Sequence, residues 1–467
     1  METRTVDVAV IGAGTAGLNA QRAASKAGAR ALLIERGPLG TTCARVGCMP
    51  SKLLIAASDA AHAVHDAGGF GIRVGDVEVD GRAVLRRVRA ERDRFVSFVL
   101  DDCRVLIEQG ALVMGAARLI AADTLLVDEH TQIKFRGLVI ATGTAPHVPG
   151  PIAKLPSELV LSNESVFELP ELPASVLVVG AGPIGLELGQ ALHRLGVRVT
   201  IVGTRGAVGP LKDPRVKAAA LAALAGELEL HTNYILGEIA AGGDGVTMRY
   251  TCDGEQRSGT WARVLIAAGR RPLLGALGLE HAGVVLDEKG QPRDLAAETL
   301  RVGETNVFLA GDVSGLRPLL HEASDEGHIA GENAARLPDG VVAQPRRTKL
   351  GVVFTDPGLA VVGDGFEGVT PETHAIGEVD WSRQGRARVL RKNVGLSRIY
   401  ATRSDRKLHG AELAGPGAEH MAHLLAWAVQ QGLTVDAALS MPFYHPVLEE
   451  GLRTALQAVR ADLGRVV

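Results

Sequence analysis

Cysteine is scarce in this chain: there are 4 in 467 residues, and Cys103 and Cys252 each lie far in sequence from any other. So few thiols cannot form a secreted disulfide framework, and a reducing compartment fits them. Charge of one sign is lacking too. The formal net charge is −3, with Lys and Arg spread along the chain, which leaves no electrostatic footprint for nucleic acid or an anionic membrane. Long hydrophobic runs are absent, since Gly, Pro or a charge interrupts each stretch before the roughly 18 residues a membrane helix needs. The N-terminus carries Glu2 and Asp7 and runs straight into a strand-like segment, without the basic and apolar regions of a signal peptide. These absences predict a cytoplasmic protein with neither nucleic acid nor membrane as partner. What is plentiful is apolar residue, 46% of the chain, enough to bury the two to four domains that this length predicts.

The first 36 residues read as strand, tight glycine turn, helix and strand: VDVAVIGAGTAGLNAQRAASKAGARALLIER. Gly12, Gly14 and Gly17 form GxGxxG after an apolar run, and Glu35 ends the second strand 18 residues past Gly17. This is the dinucleotide fingerprint in its proper context. The glycines allow the turn and the approach of backbone to pyrophosphate, the helix N-terminus receives the negative charge, and Glu35 can accept from a ribose hydroxyl.

The pattern recurs in SVLVVGAGPIGLELGQALHRLGVRVTIVGTR, with Gly180, Gly182 and Gly185 each 168 positions beyond the first set. Two bound dinucleotides are the economical reading, the competing one being a degenerate, empty copy. The same offset carries Glu35 to Gly203, followed by Thr204 and Arg205. An acid there would hold the free 2′-hydroxyl of NAD and repel a 2′-phosphate, so its loss beside Arg205 leaves NAD and NADP both open. Pro-rich passages at 144–156 and 336–347 read as boundaries, and the basic stretch 82–95 reads as a solvated helix face.

The remaining cysteines sit in TTCARVGCMPSK, five positions apart. On a regular helix such residues differ by about 140° of rotation and about 7.5 Å of rise, beyond the Cα spacing a disulfide tolerates. The segment is therefore distorted if Cys43 and Cys48 bridge, and Gly47 supplies the permissive residue. Cys43 would stand near a helix start, where the unpaired N–H groups favour a thiolate, with the Arg45 cation beside the pair. A zinc site lacks its other two ligands, and a staple closing so short a loop gains little. Spacing alone leaves a redox couple standing but does not prove it.

Two dinucleotide units with a cysteine pair after the first make a combination that resembles the flavoprotein disulfide reductases, the class I pyridine nucleotide-disulfide oxidoreductases. The resemblance runs through GTTCARVGCMPSK at 40–52, VIATGTAP at 139–146, the second fingerprint, VLIAAGRRP at 264–272, VFLAGDV at 307–313, VVFTDP at 352–357 and HPVLEE at 445–450. HEASDEG at 321–327 is closest to the dihydrolipoamide dehydrogenase branch.

The resemblance implies an α/β fold with two Rossmann-like FAD- and NAD(P)-binding domains and a C-terminal α+β dimerisation domain. Its segments would be 1–148 for FAD, 149–268 for the nicotinamide nucleotide, 269–340 completing the FAD domain, and 341–467 for the homodimer interface. It implies Cys43 and Cys48 as a redox disulfide, His445 as base with Glu450 orienting it, and Lys52 beside the flavin with Glu187 as its acidic partner. Asp312 would bind the ribityl chain, and Ala117, Thr142, Gly143 and Gly269 are carried over as further cofactor contacts. No metal is implied. Departures are Arg45 for the usual Asn, Val447 for the usual Thr, and Pro183 where other members carry a gating Tyr. Pro446 suits the first turn of a helix.

The implied activity passes electrons from a small dithiol, or a lipoyl-bearing protein, through Cys43–Cys48 and FAD to NAD(P)+. Two alternatives stay open: an NADPH-dependent reductase of a low-molecular-weight disulfide, favoured by Gly203, and a flavin-bound redox subunit of a larger complex. The ending ADLGRVV contains no cysteine, which counts against the mercuric and large thioredoxin reductases.

Overall fold

The structure, a computed structural model, describes residues 1–464, so the last three residues of ADLGRVV lie outside the described residues. The architecture is α/β, and the chain divides into two compact units. One comprises Met1–Pro50, Arg87–His147 and Gly269–Arg346; the other comprises Ser51–Arg86, Val148–Ala268 and Arg347–Val467.

The first unit is built on a parallel sheet in the order Val307–Leu309, Gly137–Ile140, Val8–Ile11, Ala31–Glu35, Leu112–Met114. Its strands are continuous apolar runs because both faces are covered. Alternation divides them: Val8 and Val10 join one core with Leu33, Val139 and Phe308, while Ala9 and Ile11 join the other with Leu32, Leu138 and Ile140. The helix Leu320–Arg336 lies directly on the helix Thr15–Lys26. A Cβ on Gly327 would stand 2.2 Å from the Ala16 carbonyl oxygen, and one on Gly331 2.2 Å from that of Ala20, so a glycine every turn sets the close approach. A smaller sheet, Glu2–Thr5, Thr131–Lys134, Thr124–Val127 and Ala117–Ala121, completes the unit with the short pair Thr144–Pro146 and Arg270–Pro272.

The second unit repeats the parallel sheet, in the order Val160–Leu161, Arg263–Ile266, Ser175–Val179, Arg198–Val202, Glu229–His231, with an antiparallel meander from Tyr234 to Trp261. Its C-terminal part is a five-stranded antiparallel sheet covered by Ala418–Gln430 and Glu450–Leu463. Trp381 is fully buried there and fits because Gly415 and Gly451 carry no side chain against its ring. The stretch 82–95 lies in the helix Gly81–Glu108, and Arg82 is exposed and paired with Glu171 at 2.7 Å, as a solvated face requires. No helix among the described residues is long and apolar enough to cross a membrane.

Candidate active site

In the first unit the cysteine segment is not one helix. Thr42–Val46 forms a single turn, the chain breaks at Gly47, and a second helix runs from Cys48 to Asp66. Cys43 is therefore the second residue of one helix and Cys48 the first of the next. Thr41 caps the short helix, its hydroxyl accepting from Ala44 N at 3.2 Å. A Cβ on Gly47 would lie 3.1 Å from Cys43 Cα and 3.0 Å from the Thr42 carbonyl oxygen. Any other residue would push the two cysteine-bearing turns apart. Cys43 is half-buried and Cys48 exposed, whereas Cys103 and Cys252 are buried, which pushes both of those thiols up in pKa and leaves them inert. The Arg45 stem folds back over Gly40, within about 3.0 Å of where a Cβ would be.

The first fingerprint makes a tight turn. Gly12 has φ 106° and no room for a side chain beneath the Ala141 carbonyl, and a Cβ on Gly17 would fall 1.7 Å from the Gly12 oxygen. A Cβ on Gly14, at the helix start, would meet nothing, so that face is open to a ligand. Glu35 closes the loop: its carboxylate accepts from Ala13 N at 2.6 Å and Gly37 N at 2.8 Å. Gly143, at φ 67°, and Gly269, at φ 97°, turn the chain on either side of the pair Thr144–Pro146 and Arg270–Pro272, and Thr142 donates to the Leu273 carbonyl at 2.9 Å. Ala117 opens its strand, packed partly against the core.

Asp312 follows Gly311 at the end of its strand. Burial pushes its carboxyl up, the Arg270 guanidinium pulls it back, and its hydrogen bond from Thr144 is long at 3.4 Å. A half-buried carboxylate so weakly served suits a hydroxyl-bearing ligand. Its turn is held by Glu326, which accepts from Gly311 N at 2.8 Å and Ser314 at 3.0 Å and pairs with Arg346. Arg270 fixes the neighbouring strand by donating to Thr144 Oγ1 and its carbonyl. Neither residue was singled out from the sequence, although both stand in quoted motifs.

In the second unit Lys52, one turn beyond Cys48 on the same helix, pairs with Glu187 at 2.7 Å. The other Glu187 oxygen accepts from Phe354 N at 2.9 Å, and the Lys52 ammonium lies 4.5 Å from the Phe354 ring centre. Phe354 thus holds both members of the pair, a role its motif VVFTDP did not reveal. Gly180, Gly182 and Gly185 reproduce the first turn, with a Gly185 Cβ 1.9 Å from the Gly180 oxygen and Gly182 facing open space. Beside them is a cavity of about 220 Å³ lined by Gly180 to Gly182, Gly203, Thr204 and Tyr234 among others. Arg205 is exposed and does not line it.

His445 and Glu450 meet as expected, His445 Nδ1 standing 3.0 Å from Glu450 Oε1. The second Glu450 oxygen accepts from Val447 N at 3.2 Å, and these hydrogen bonds, that of His445 foremost, draw the carboxyl below its ordinary pKa. The imidazole itself is 80% exposed. Pro446 is not in a helical turn. The helix begins only at Glu450, because its carboxylate gathers the preceding residues into a turn. Among the described residues no three His, Cys, Asp or Glu side chains gather to hold a metal ion.

The sequence profile of the pyridine nucleotide-disulphide oxidoreductases matches residues 6–327, and that of their dimerisation domain matches residues 350–456. The chain belongs to this family. It is 30% identical to the mitochondrial dihydrolipoyl dehydrogenase of Pisum sativum, over 97% of this chain and 91% of that protein. It is also 30% identical to the dihydrolipoyl dehydrogenase of Geobacillus stearothermophilus, over 99% and 97%. The leghemoglobin reductase of Vigna unguiculata is 31% identical over 97% and 87%. Among solved structures, the HOCl-induced flavoprotein disulfide reductase RclA from Escherichia coli shares the fold, with a TM-score of 0.77 at 23% identity over 97% of this chain and 99% of that one. Family membership makes the chain an NAD(P)-linked oxidoreductase acting on sulfur groups with FAD as cofactor. The open faces at Gly14 and Gly182 and the under-served Asp312 carboxylate fit two such nucleotides.

Proposed function

We propose that this chain is a homodimeric dithiol–disulfide oxidoreductase similar to dihydrolipoyl dehydrogenase, working in a reducing compartment such as the cytoplasm. Its substrate is a small dithiol, free or carried as a lipoyl group on a protein. The break at Gly47 carries this reading: it gives each cysteine of the pair its own helix start with the two turns packed together, an arrangement with no use in a scaffold.

His445 of the partner subunit takes the proton from a substrate thiol, and Glu450 steadies the imidazolium that forms. The substrate thiolate attacks Cys43 Sγ in the oxidised pair and expels Cys48 as thiolate. The second substrate thiol then attacks the mixed disulfide, releasing the substrate disulfide and leaving both cysteines reduced. FAD, bound at the first fingerprint, supplies the two-electron link between that pair and the nicotinamide nucleotide at the second. Lys52, held by Glu187 and Phe354, places a fixed cation one turn from Cys48. The assignment of 1–148 and 269–340 to FAD, 149–268 to the nicotinamide nucleotide and 341–467 to the subunit interface belongs to the same proposal.

Cys43→Ser tests it. Dithiol turnover falls by about a thousandfold or more, the scale at which an essential nucleophile is missed, while the flavin stays bound and nicotinamide-driven dye reduction persists. Full dithiol activity in this variant would overturn the mechanism.

A further inference from the structure

The second fingerprint lacks more than an acid. At Gly203, where Glu35 stands in the first copy, the backbone is pinned on both sides: its N–H donates to the His231 carbonyl at 2.6 Å and its carbonyl accepts from Tyr234 N at 2.9 Å. A Cβ there would lie 2.6 Å from the Ala181 Cβ. The turn has closed over the position, so no side chain can grow from it toward a ribose. Nor does a charged residue from elsewhere enter the cavity, whose lining is Val179, alanines, glycines, Thr204 and Tyr234.

Cations gather at its rim instead. After Gly203 the chain turns through Thr204, Arg205 at φ 57° and Gly206 at φ 64°, with Ala207 N donating to the Thr204 carbonyl at 3.1 Å. The Lys217 ammonium stands 3.9 Å from where a Cβ on Gly206 would be, and Gly206 follows Thr204 and Arg205 and precedes Ala207 in a turn whose Thr204 and Ala207 line the cavity. Nearby basic residues are neutralised: Lys212 pairs with Glu367 and Arg215 with Glu378. Lys217 and Arg205 have no carboxylate partner among the described residues. The end of this strand is where a dinucleotide-binding unit reads the 2′ position of the adenosine ribose, by an acid for a hydroxyl and by cations for a phosphate.

We infer that the closed Gly203 turn with Arg205 and Lys217 selects NADP(H) over NAD(H), the two cations and the Thr204 hydroxyl receiving the 2′-phosphate. The inference rests on the reading that the second fingerprint takes the nicotinamide nucleotide.

The purified holoprotein is titrated calorimetrically with 2′,5′-ADP and with 5′-AMP, ligands that differ only in that phosphate. The 2′,5′-ADP is bound at least about tenfold more tightly at low salt, the worth of one charge-assisted contact of about 1.4 kcal/mol, and its advantage shrinks as salt is raised. The double variant Arg205→Ala, Lys217→Ala brings the two ligands to the same affinity. Equal affinity in the unaltered protein, or a preference that survives the double variant with its flavin still bound, overturns the inference. Neither ligand carries a nicotinamide ring or a thiol to react, so the titration repeated on Cys43→Ser separates this outcome from failure of the proposed dithiol chemistry.

Discussion

The two fingerprints of this chain share a backbone and differ in a side chain. Gly12 and Gly180 adopt φ 106° and 125°, and a Cβ on Gly17 or Gly185 would fall 1.7 Å from the Gly12 oxygen or 1.9 Å from the Gly180 oxygen. Gly14 and Gly182 both look into open space. In dinucleotide-binding units such features serve the pyrophosphate, which every dinucleotide has. At the strand end the copies part: Glu35 reaches across to Ala13 N, whereas Gly203 has drawn the loop in until Ala181 fills the room. The turn is thus the constant part of the two copies, and the strand end, Glu35 in one and Gly203 in the other, 168 places apart, is where they diverge.

The largest test of this comparison is a methyl where none fits. Gly17→Ala and Gly185→Ala each force a backbone clash costing about 3 kcal/mol or more, at the upper end of overpacking. The first variant emerges without flavin; the second keeps its flavin and loses nicotinamide-driven dye reduction by about a hundredfold or more. Flavin absorbance and dye kinetics distinguish them, and loss of flavin in both would break the assignment of one nucleotide to each copy.

A smaller effect is expected at the diverged position. Glu35→Ala forfeits two bonds to a charged carboxylate, a loss of at least about 1.5–3 kcal/mol, the worth of one of them, so flavin dissociates at least about 10- to 100-fold more readily in a dilution assay. Gly203→Glu does not make the second copy a better NAD site, since its Cβ already collides with Ala181, and the melting temperature falls. Improved NAD binding would show that the closed turn is soft.

The smallest contrast is one of pH. In the second unit His374 is held below its ordinary pKa by burial and by His409, whose ring centre is 4.5 Å away. A depressed histidine pKa means that the unfolded chain takes the proton first, so stability is lost as pH falls through the ordinary histidine range near about 6.5. In the first unit Asp7 is held low by the Arg30 N–H, by Arg136 and by the Arg30 side chain, and its contribution disappears only below about pH 4. Protection factors in the second unit, taken against the intrinsic exchange rate at each pH, should therefore fall between about pH 6.5 and 5.5, by at most about 1.4 kcal/mol per pH unit for one proton. His374→Gln abolishes that step, and an unchanged profile would refute the assignment.

What was legible in the sequence was whatever local spacing determines. GxGxxG after an apolar run, the five-residue separation of Cys43 and Cys48, and the HPxxxE run each name a geometry within a few residues, and the structure has those geometries. What was not legible depends on partners far along the chain. Glu187 meets Phe354, and the Gly311 turn leans on Glu326. Gly203 read as a missing acid rather than a closed turn, because closure depends on Ala181 and His231, neither of them a neighbour in sequence. Pro446 misled for a related reason. Its preference for a helix start yields to the Glu450 carboxylate, which folds the residues before it into a turn. Residues 51–86 group with the second unit, which no boundary signal in the sequence announced.

The glycine-to-backbone contact between Leu320–Arg336 and Thr15–Lys26 also has a consequence in time. The second fingerprint has its flanking sheet by residue 266, within 100 residues of its first strand. The first, though made earliest, lacks its edge strand until Leu309 and its covering helix until Arg336 have left the ribosome. At about 5–20 residues per second, its apolar face waits roughly 15–60 s for cover. The segment born first is therefore among the last to be covered, and its apolar sheet face stays open to non-native association meanwhile.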